Sequence, residues 1–348
     1  MSNNVKVSKN NSIEAMRFIF MLIICCWHNY ASAGVFKHGY LAVEFFFVLS
    51  GYLLYKSFSK QNSLSTIDYT IKKIKRFGPE YLIVLAIIYL RHLFIPVILG
   101  RREFDFAFMM KMFPEMIMLQ DCGIYEGGAN APLWYLSILV IGGGLIYSLL
   151  KYNKRLSINV CLPLLCLIGY TYIFNESQTG SIEVWDVEGG IKAALLRGMA
   201  GMSLGVLLSY FMEQKGGILE KKPAFTCFVS IISLLMFLFV ITSTPYYDKY
   251  ALLFIPPILL GCFIRESIIN KVFASSIWIS MGGITFEMLL LHFRIIMPFH
   301  SFIFNITNIP ICLNYLVYIL LLIICSWAFK FMFNKSKSLL SAKCHFLL

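Results

Sequence analysis

Long apolar runs separated by short polar segments dominate the chain. A helix needs about 20 mostly apolar residues to cross the hydrocarbon core of a bilayer, and ten runs approach this length. The predicted spans cover residues 13–33, 39–58, 80–99, 132–150, 157–175, 191–211, 224–243, 250–267, 274–297 and 312–333. The eighth is the weakest because Pro256 and Pro257 interrupt its backbone hydrogen bonds. The pattern predicts an all-α, polytopic transmembrane helix bundle, a single domain over 1–348 with its core at about 13–333.

Composition identifies lipid as the main solvent. Of the 348 residues, 59% are hydrophobic and 14% are charged, against about 45–50% and about 25% in soluble domains. A disordered chain, a fibrous repeat and a small disulfide-rich domain are excluded. Most of the ten cysteines lie in apolar runs, as small buried hydrophobic residues do. No pair has zinc-type spacing, so no metal site is predicted.

Basic residues indicate the orientation of the chain. If the N-terminus is cytoplasmic, six inside segments contain 20 of the 30 lysines and arginines. Both termini are therefore predicted to be cytoplasmic by the positive-inside rule. The net charge of +12 is then a topology signal. A nucleic-acid partner is not expected, because its basic residues would gather on one aqueous face. Residues 103–120 are too charged to span and are expected in the outer interface.

The first span has a second interpretation. Its apolar run, preceded by two lysines and followed by Ala31-Ser32-Ala33, imitates a cleavable signal peptide. Cleavage would leave nine spans in the same orientation. Glu14, Arg17 and His28 lie within or beside this run, which is poor signal-peptide chemistry and favours a retained span.

A few polar residues inside the spans carry most of the functional information. A charged side chain at the bilayer centre costs about 2.5–3.5 kcal/mol. Arg17 and His28 are eleven positions apart, about 20° on the helical wheel, and share one face. Arg17 lies near the cytoplasmic end of the span and His28 near the outer end. Glu44, Gly51 and Tyr55 share one face of the second span, where Gly51 permits close approach of a helix or ligand.

Depth in the membrane predicts a histidine–carboxylate pair. His28 and Glu44 each lie about five residues from the outer end of adjacent spans, and His292 comes to a similar depth. A neutral histidine held on one nitrogen can take a proton with the other, which suits deprotonation of a hydroxyl that attacks an acyl group. Structural roles compete with this interpretation: packing for the histidines, and a plain ion pair for Glu44.

Three further residues have a structural alternative. Trp134 stands where an aromatic belt is usual, Arg76 lies in a basic run typical of topology signals, and Arg197 can snorkel to the interface. Membrane-embedded histidine and glutamate also serve proton-coupled transport. A transporter or flippase is therefore the rival class, although no duplicated halves are visible.

Three motifs lie in order on or beside the first three spans. They are Arg17 with His28, the segment EFFFVLSGYL at 44–53, and Arg76-Phe77-Gly78-Pro79. Together they resemble acyltransferase family 3, in which the corresponding motifs are R-x10-H, acidic-x-F-F-x-L-S-G-F-L and R-x-x-P. Weaker matches occur at 133–136 (LWYL), at Arg197-Gly198 and at Thr285-Phe286 followed by His292. Glu44 stands where the family usually has Asp, and Leu139 where many members have Glu.

The resemblance implies a multi-pass O-acyltransferase of the cell membrane, typical of bacteria. It would move an acyl group, usually acetyl, from cytosolic acyl-CoA to a hydroxyl of a lipid-linked or exported polysaccharide. Acetyl-CoA is the expected co-substrate, no cofactor is expected to stay bound, and a homo-oligomer is allowed. A succinyl or longer-chain transferase is the alternative within the family.

The resemblance also assigns residues. His28 and Glu44 are the expected catalytic pair, with His28 as general base or as covalent acyl carrier. The residues expected to bind acyl-CoA or substrate are Arg17, Ser50, Gly51, Tyr55, Arg76, Trp134, Arg197 and His292.

Overall fold

The described part of the chain is a helix bundle. The computed structural model describes residues 10–30, 36–60, 64–101, 103–123, 125, 127–184, 192–264, 267–301 and 310–346. Within these ranges no strand is formed, and Gln120 and Tyr125 make an isolated bridge. The all-α prediction is therefore confirmed.

Eleven principal helices build the bundle. They are α1 (Asn11–Tyr30), α2 (Ala42–Lys60), α3 (Thr66–Tyr89), α4 (Trp134–Tyr152), α5 (Leu162–Glu176), α6 (Ala193–Glu220), α7 (Pro223–Thr242), α8 (Asp248–Phe263), α9 (Ile277–Gly283), α10 (Thr285–Leu291) and α11 (Ile311–Phe346). Segments of π-helix cover Leu90–Phe94, Ser157–Cys161 and His292–Ile296. Shorter helices and 3₁₀ turns cover Gly39–Leu41, Ile95–Ile98, Phe106–Met110, Met112–Met116, Ala131–Leu133, Lys154–Leu156, Pro245–Tyr247 and Ile268–Val272.

Nine helical stretches in the described ranges are long and apolar enough to cross a membrane. The predicted span at 250–267 corresponds to α8, which has 16 residues and contains Pro256 and Pro257. At 1.5 Å per residue this helix is about 24 Å long, short of the roughly 30 Å hydrocarbon core. The chain is thus a multi-pass membrane protein, and α8 is shorter than the nine stretches that meet the length of a span.

The third helix begins earlier than the apolar run does. The hydroxyl of Ser65 caps its first turn by accepting from the amide of Asp68 at 3.0 Å. The basic run at 72–76 is therefore helical, since lysine, arginine and isoleucine are all compatible with a helix. Residues 103–120 form two short helices rather than a span, as their charge predicted.

Close backbone contact between α2 and α6 forms the centre of the bundle. A Cβ atom at Gly51 would lie 1.9 Å from the carbonyl oxygen of Met202, and one at Gly205 would lie 1.9 Å from that of Val48. Small residues allow helices in membranes to pack this closely. Helix α1 contacts α2, α9 and α10. The Ala31-Ser32-Ala33 pattern lies outside the described residues.

Candidate active site

The C-terminal half of α1 lines a cavity of about 290 Å³, which we call the aromatic cavity. Its ring side chains are Trp27, Tyr40, Phe46, Trp134, Tyr135 and Phe293. His28, Glu183 and Arg197 complete its polar wall. Burial raises the pKa of the Glu183 carboxyl above its usual range. Apolar walls with a few placed polar groups are typical of sites that hold a small molecule.

His28 contacts a second histidine. Its Nδ1 lies 3.0 Å from the carbonyl oxygen of Ile24 and 3.3 Å from Nε2 of His292. His292 is fully buried and does not line the aromatic cavity. The two histidines, predicted to lie at a similar depth, are therefore in contact, and His292 lies behind His28 rather than in the wall of the cavity.

Glu44 does not form the predicted pair with His28. Its Oε1 accepts a hydrogen bond from Nε of Arg197, and its Oε2 accepts one from the Tyr170 hydroxyl at 2.5 Å. Arg197 also donates from a terminal nitrogen to the carbonyl oxygen of Tyr40 at 2.9 Å. Both oxygens of the carboxylate are thus used by other donors. The pairing inferred from depth is wrong, and the alternative of an ion pair is what the structure contains.

The orientation of α2 about its own axis explains this difference. Glu44 faces α6, where a Cβ atom at Gly201 would lie 3.4 Å from its Oε2 and 2.8 Å from Cβ of Phe47. The absence of a side chain there lets α6 bring Arg197 to the carboxylate. Sequence position predicts the level of a residue along its helix, but it does not fix which neighbouring helix that residue faces.

A second cavity, of about 570 Å³, lies at the N-terminal half of α1 and is called the basic cavity. Five basic and two acidic side chains line it among the described residues: Arg17, Lys72, Lys73, Arg76, Lys330, Glu80 and Glu287. Ser50 also lines it. Arg17, Ser50 and Arg76 are among the residues expected to bind acyl-CoA or substrate, and all three line this cavity. Lys72, Lys73 and Lys330 also line this cavity, although from the sequence alone they indicate only the orientation of the chain.

Local contacts hold the cations of the basic cavity in place. Arg17 donates to Oε2 of Glu14 at 2.8 Å and to the Thr285 hydroxyl at 2.9 Å. Lys330 of α11 donates to Oε1 of Glu287 at 2.8 Å. The side chain of Arg17 is 27% exposed despite these bonds. An anion entering the cavity would therefore meet positioned cations.

Four residues line both cavities, and we call them the collar. Met21 of α1, Phe46 of α2, Tyr135 of α4 and Leu289 of α10 each face both spaces. The Tyr135 hydroxyl lies 3.3 Å from that of Ser50. The two cavities thus share one lining residue from each of four helices. Arg17 and His28, predicted to share a face of α1, lie on opposite sides of the collar.

Two predicted binding residues lie away from both cavities. Gly51 is buried against the backbone of α6 and lines neither cavity. The Tyr55 hydroxyl donates to Oε2 of Glu213 at 2.6 Å, and Tyr55 lines neither cavity either. In this structure their shared helix face packs against α6 and lines neither of the two cavities.

The segment before α4 is tied to the helix that carries His292. Asn130 donates from its amide to the carbonyl oxygen of Leu290 at 3.0 Å, and Arg294 donates from Nε to that of Ala129 at 2.6 Å. These bonds place Trp134 at the aromatic cavity, where its ring lies 5.7 Å from the guanidinium of Arg197. Trp134 and Arg197 therefore both line this cavity, and Arg197 at the same time forms an ion pair with Glu44.

Comparison with known proteins identifies the class of protein. A family model described as an acyltransferase domain, that of acyltransferase family 3, matches residues 10–331. The chain belongs to this family and is a membrane acyltransferase, which removes the reason to consider a transporter. No curated protein and no solved structure has significant similarity to it.

Proposed function

We propose that the chain transfers an acetyl group from cytosolic acetyl-CoA, through the collar, to a hydroxyl of a glycan bound in the aromatic cavity. The observation that carries this proposal is the arrangement along α1. This helix presents Arg17 to the basic cavity and His28 to the aromatic cavity, and the collar residues line both cavities.

The basic cavity suits the nucleotide end of the donor. Coenzyme A carries a pyrophosphate and a 3′-phosphate, and arginine binds phosphate oxygens through two parallel N–H donors. Arg17 and Arg76 supply this geometry, and Lys72, Lys73 and Lys330 add positive charge. The orientation predicted from the basic residues would put this cavity on the cytoplasmic side, where acetyl-CoA is made.

The collar suits the thin pantetheine arm. An extended arm passing Met21 and Leu289 would bring the thioester from the basic cavity towards His28 without moving the charged phosphates. Flat aromatic rings in the second cavity suit the faces of a sugar, and few polar groups there compete with its hydroxyls. The acceptor would enter this cavity from the outer side.

His28 is the proposed general base. Its Nε2 takes the proton of the acceptor hydroxyl as the oxygen attacks the thioester carbonyl. The carbon–sulfur bond then breaks, and the leaving thiolate of coenzyme A receives the proton from the histidine. In a second route the imidazole first accepts the acetyl group and then passes it to the hydroxyl. Glu44 has no direct step in either route.

The test uses membranes from a strain that expresses the chain and [¹⁴C]acetyl-CoA. We expect alkali-labile label in the glycan fraction of inside-out vesicles, and its loss in the His28→Ala variant. His92→Ala is the matched control, because His92 lines neither cavity. Retained transfer by a folded His28→Ala protein would overturn the assignment. Label on the purified protein in the absence of glycan would select the carrier route.

A further inference from the structure

The contacts of His292 determine which of its ring nitrogens carries the proton. Its Nδ1 lies 3.1 Å from the carbonyl oxygen of Met288 and 2.9 Å from that of Leu289. A carbonyl oxygen can only accept a hydrogen bond, so Nδ1 must be the donor. In the neutral imidazole Nε2 is then left as an acceptor. This nitrogen faces His28.

The same reasoning extends to His28. Its Nδ1 meets two acceptors, Nε2 of His292 at 3.3 Å and the carbonyl oxygen of Ile24 at 3.0 Å. The proton of His28 therefore belongs on Nδ1, and Nε2 keeps its lone pair. Within the described residues this Nε2 has no hydrogen-bond partner, and His28 lines the aromatic cavity. A base needs such a nitrogen.

We propose that His292 is the positioning residue of His28, and that a buried neutral imidazole replaces the carboxylate of a Ser-His-Asp triad. This inference rests on the proposed function. When Nε2 of His28 takes the acceptor proton, the resulting imidazolium donates its Nδ1–H to Nε2 of His292. His292 thereby fixes the tautomer of the base and stabilises the positive charge that forms on it.

The local backbone supports this role. His292 begins the π-helical segment His292–Ile296, directly after α10. Segments of π-helix are common at functional sites, because they change the direction in which a side chain leaves the helix. The ring of His292 is 0% exposed, so it cannot itself meet a substrate. It acts through His28.

Two substitutions at His292 separate positioning from packing. Glutamine can place an acceptor oxygen near the position of Nε2, whereas leucine cannot accept a hydrogen bond. We expect His292→Leu to lower the maximal rate of [¹⁴C]acetyl transfer by about 10–100-fold, by analogy with the loss of the partner that orients a metal-ligating histidine. The KM for acetyl-CoA should not change, and His292→Gln should keep most of the rate. Wild-type turnover in His292→Leu, equal losses in both variants, or a change in KM alone would overturn the inference.

Nuclear magnetic resonance of the unmodified protein gives a second test, which reads the tautomer directly and uses variants only to assign the signals. With ¹³C,¹⁵N-histidine incorporated, the signals of His28 and His292 are assigned by their loss in variants at each position. Both rings should report the Nδ1–H tautomer, and an Nε2–H tautomer on His28 would refute the inference. If His28→Ala retains transfer, the proposed function fails whatever the tautomer. If His28→Ala is inactive and His292→Leu is fully active, only the inference fails.

Discussion

Arg197 donates from Nε to Oε1 of Glu44 in a buried ion pair. Glu44 is 0% exposed and Arg197 is 6% exposed. Removal of one partner from such a pair leaves an uncompensated buried charge, whereas apolar replacement of both is often tolerated. The pair lies beside the aromatic cavity and links α2 to α6. We therefore assign it to the stability of the bundle rather than to the reacting atoms.

Single substitutions of this pair should destabilise the protein far more than the double substitution. We expect Glu44→Leu and Arg197→Met each to cost about 3–5 kcal/mol, and the double variant to recover much of that loss. Thermal unfolding in detergent measures the effect. Glu220→Leu, at the exposed end of α6, is the control and should change little. Additive losses in the double variant would show that the two charges do not stabilise each other.

Arginine-to-lysine substitutions test how the donor is held. Lysine keeps the charge but loses the planar pair of donors, so Arg17→Lys and Arg76→Lys should raise the KM for acetyl-CoA several-fold. Arg155→Lys is the control, because Arg155 is exposed and lines neither cavity. Added salt should raise the KM further, since screening weakens attraction between charges. A KM equal to that of the wild type in both variants would exclude a role for the two guanidinium groups.

The sequence predicted which residues share a helix face better than it predicted which residues of other helices they contact. The faces of α1 followed from helical periodicity, and Arg17 and His28 do line two cavities. The partners of Glu44 could not be predicted, because they depend on how α2 is rotated against α6. One of them, Tyr170, lies in an apolar run and gives no signal in the sequence.

The lysines of the basic cavity illustrate the same limit. Lys72 and Lys73 belong to a basic run that is typical of a topology signal, so the sequence gives no reason to expect a binding role. Lys330 lies far from them in sequence, on the last helix. Their convergence on one cavity is a tertiary feature. Gly51 differs from these lysines. The sequence predicts that a helix or a ligand approaches it closely, and in the structure the close neighbour is helix α6.

The collar should control the rate without controlling donor binding. Leu289→Trp adds bulk where the two cavities meet, so we expect transfer to fall at least tenfold while acetyl-CoA still binds to the basic cavity. Binding is measured by calorimetry with purified protein, and transfer by the vesicle assay. Leu316→Trp is the control, since Leu316 is 51% exposed on α11. Full transfer by a stable Leu289→Trp protein would mean that the acyl group does not pass this point.

Gly51 should tolerate no side chain. The added Cβ of Gly51→Ala would lie 1.9 Å from a backbone oxygen of α6, which forces the helices apart and costs about 1–3 kcal/mol, as overpacking does. Gly217→Ala is the control. Gly217 lies on α6 with nothing within 4 Å of its Cβ position, so this substitution should be neutral or stabilising. Thermal unfolding compares the two. Wild-type stability with lost activity in Gly51→Ala would instead support the original expectation of a ligand contact.

Glu115 gives a prediction about pH. This residue lies between α3 and α4, outside the apolar spans, and is 0% exposed. Its Oε2 accepts from the Tyr89 hydroxyl at 2.5 Å, and its carbonyl oxygen accepts from that of Tyr81 at 2.7 Å. Burial raises the pKa of the Glu115 carboxyl above its ordinary value of 4.5.

The direction of the effect follows from proton linkage. Below about pH 4.5 the carboxyl is protonated in the folded and the unfolded chain, so the folded protein has its full stability with respect to this group. As pH rises, the unfolded chain releases the proton first, and the free energy of unfolding falls until pH passes the raised pKa of the folded state. Glu115→Gln stays neutral and should flatten this part of the profile of melting temperature against pH, with higher stability than the wild type at neutral pH. Glu103→Gln, on the exposed segment before the short helices, should leave the profile unchanged. If Glu115→Gln keeps the wild-type slope, the folded carboxyl titrates as it does in the unfolded chain, and burial has not shifted its pKa.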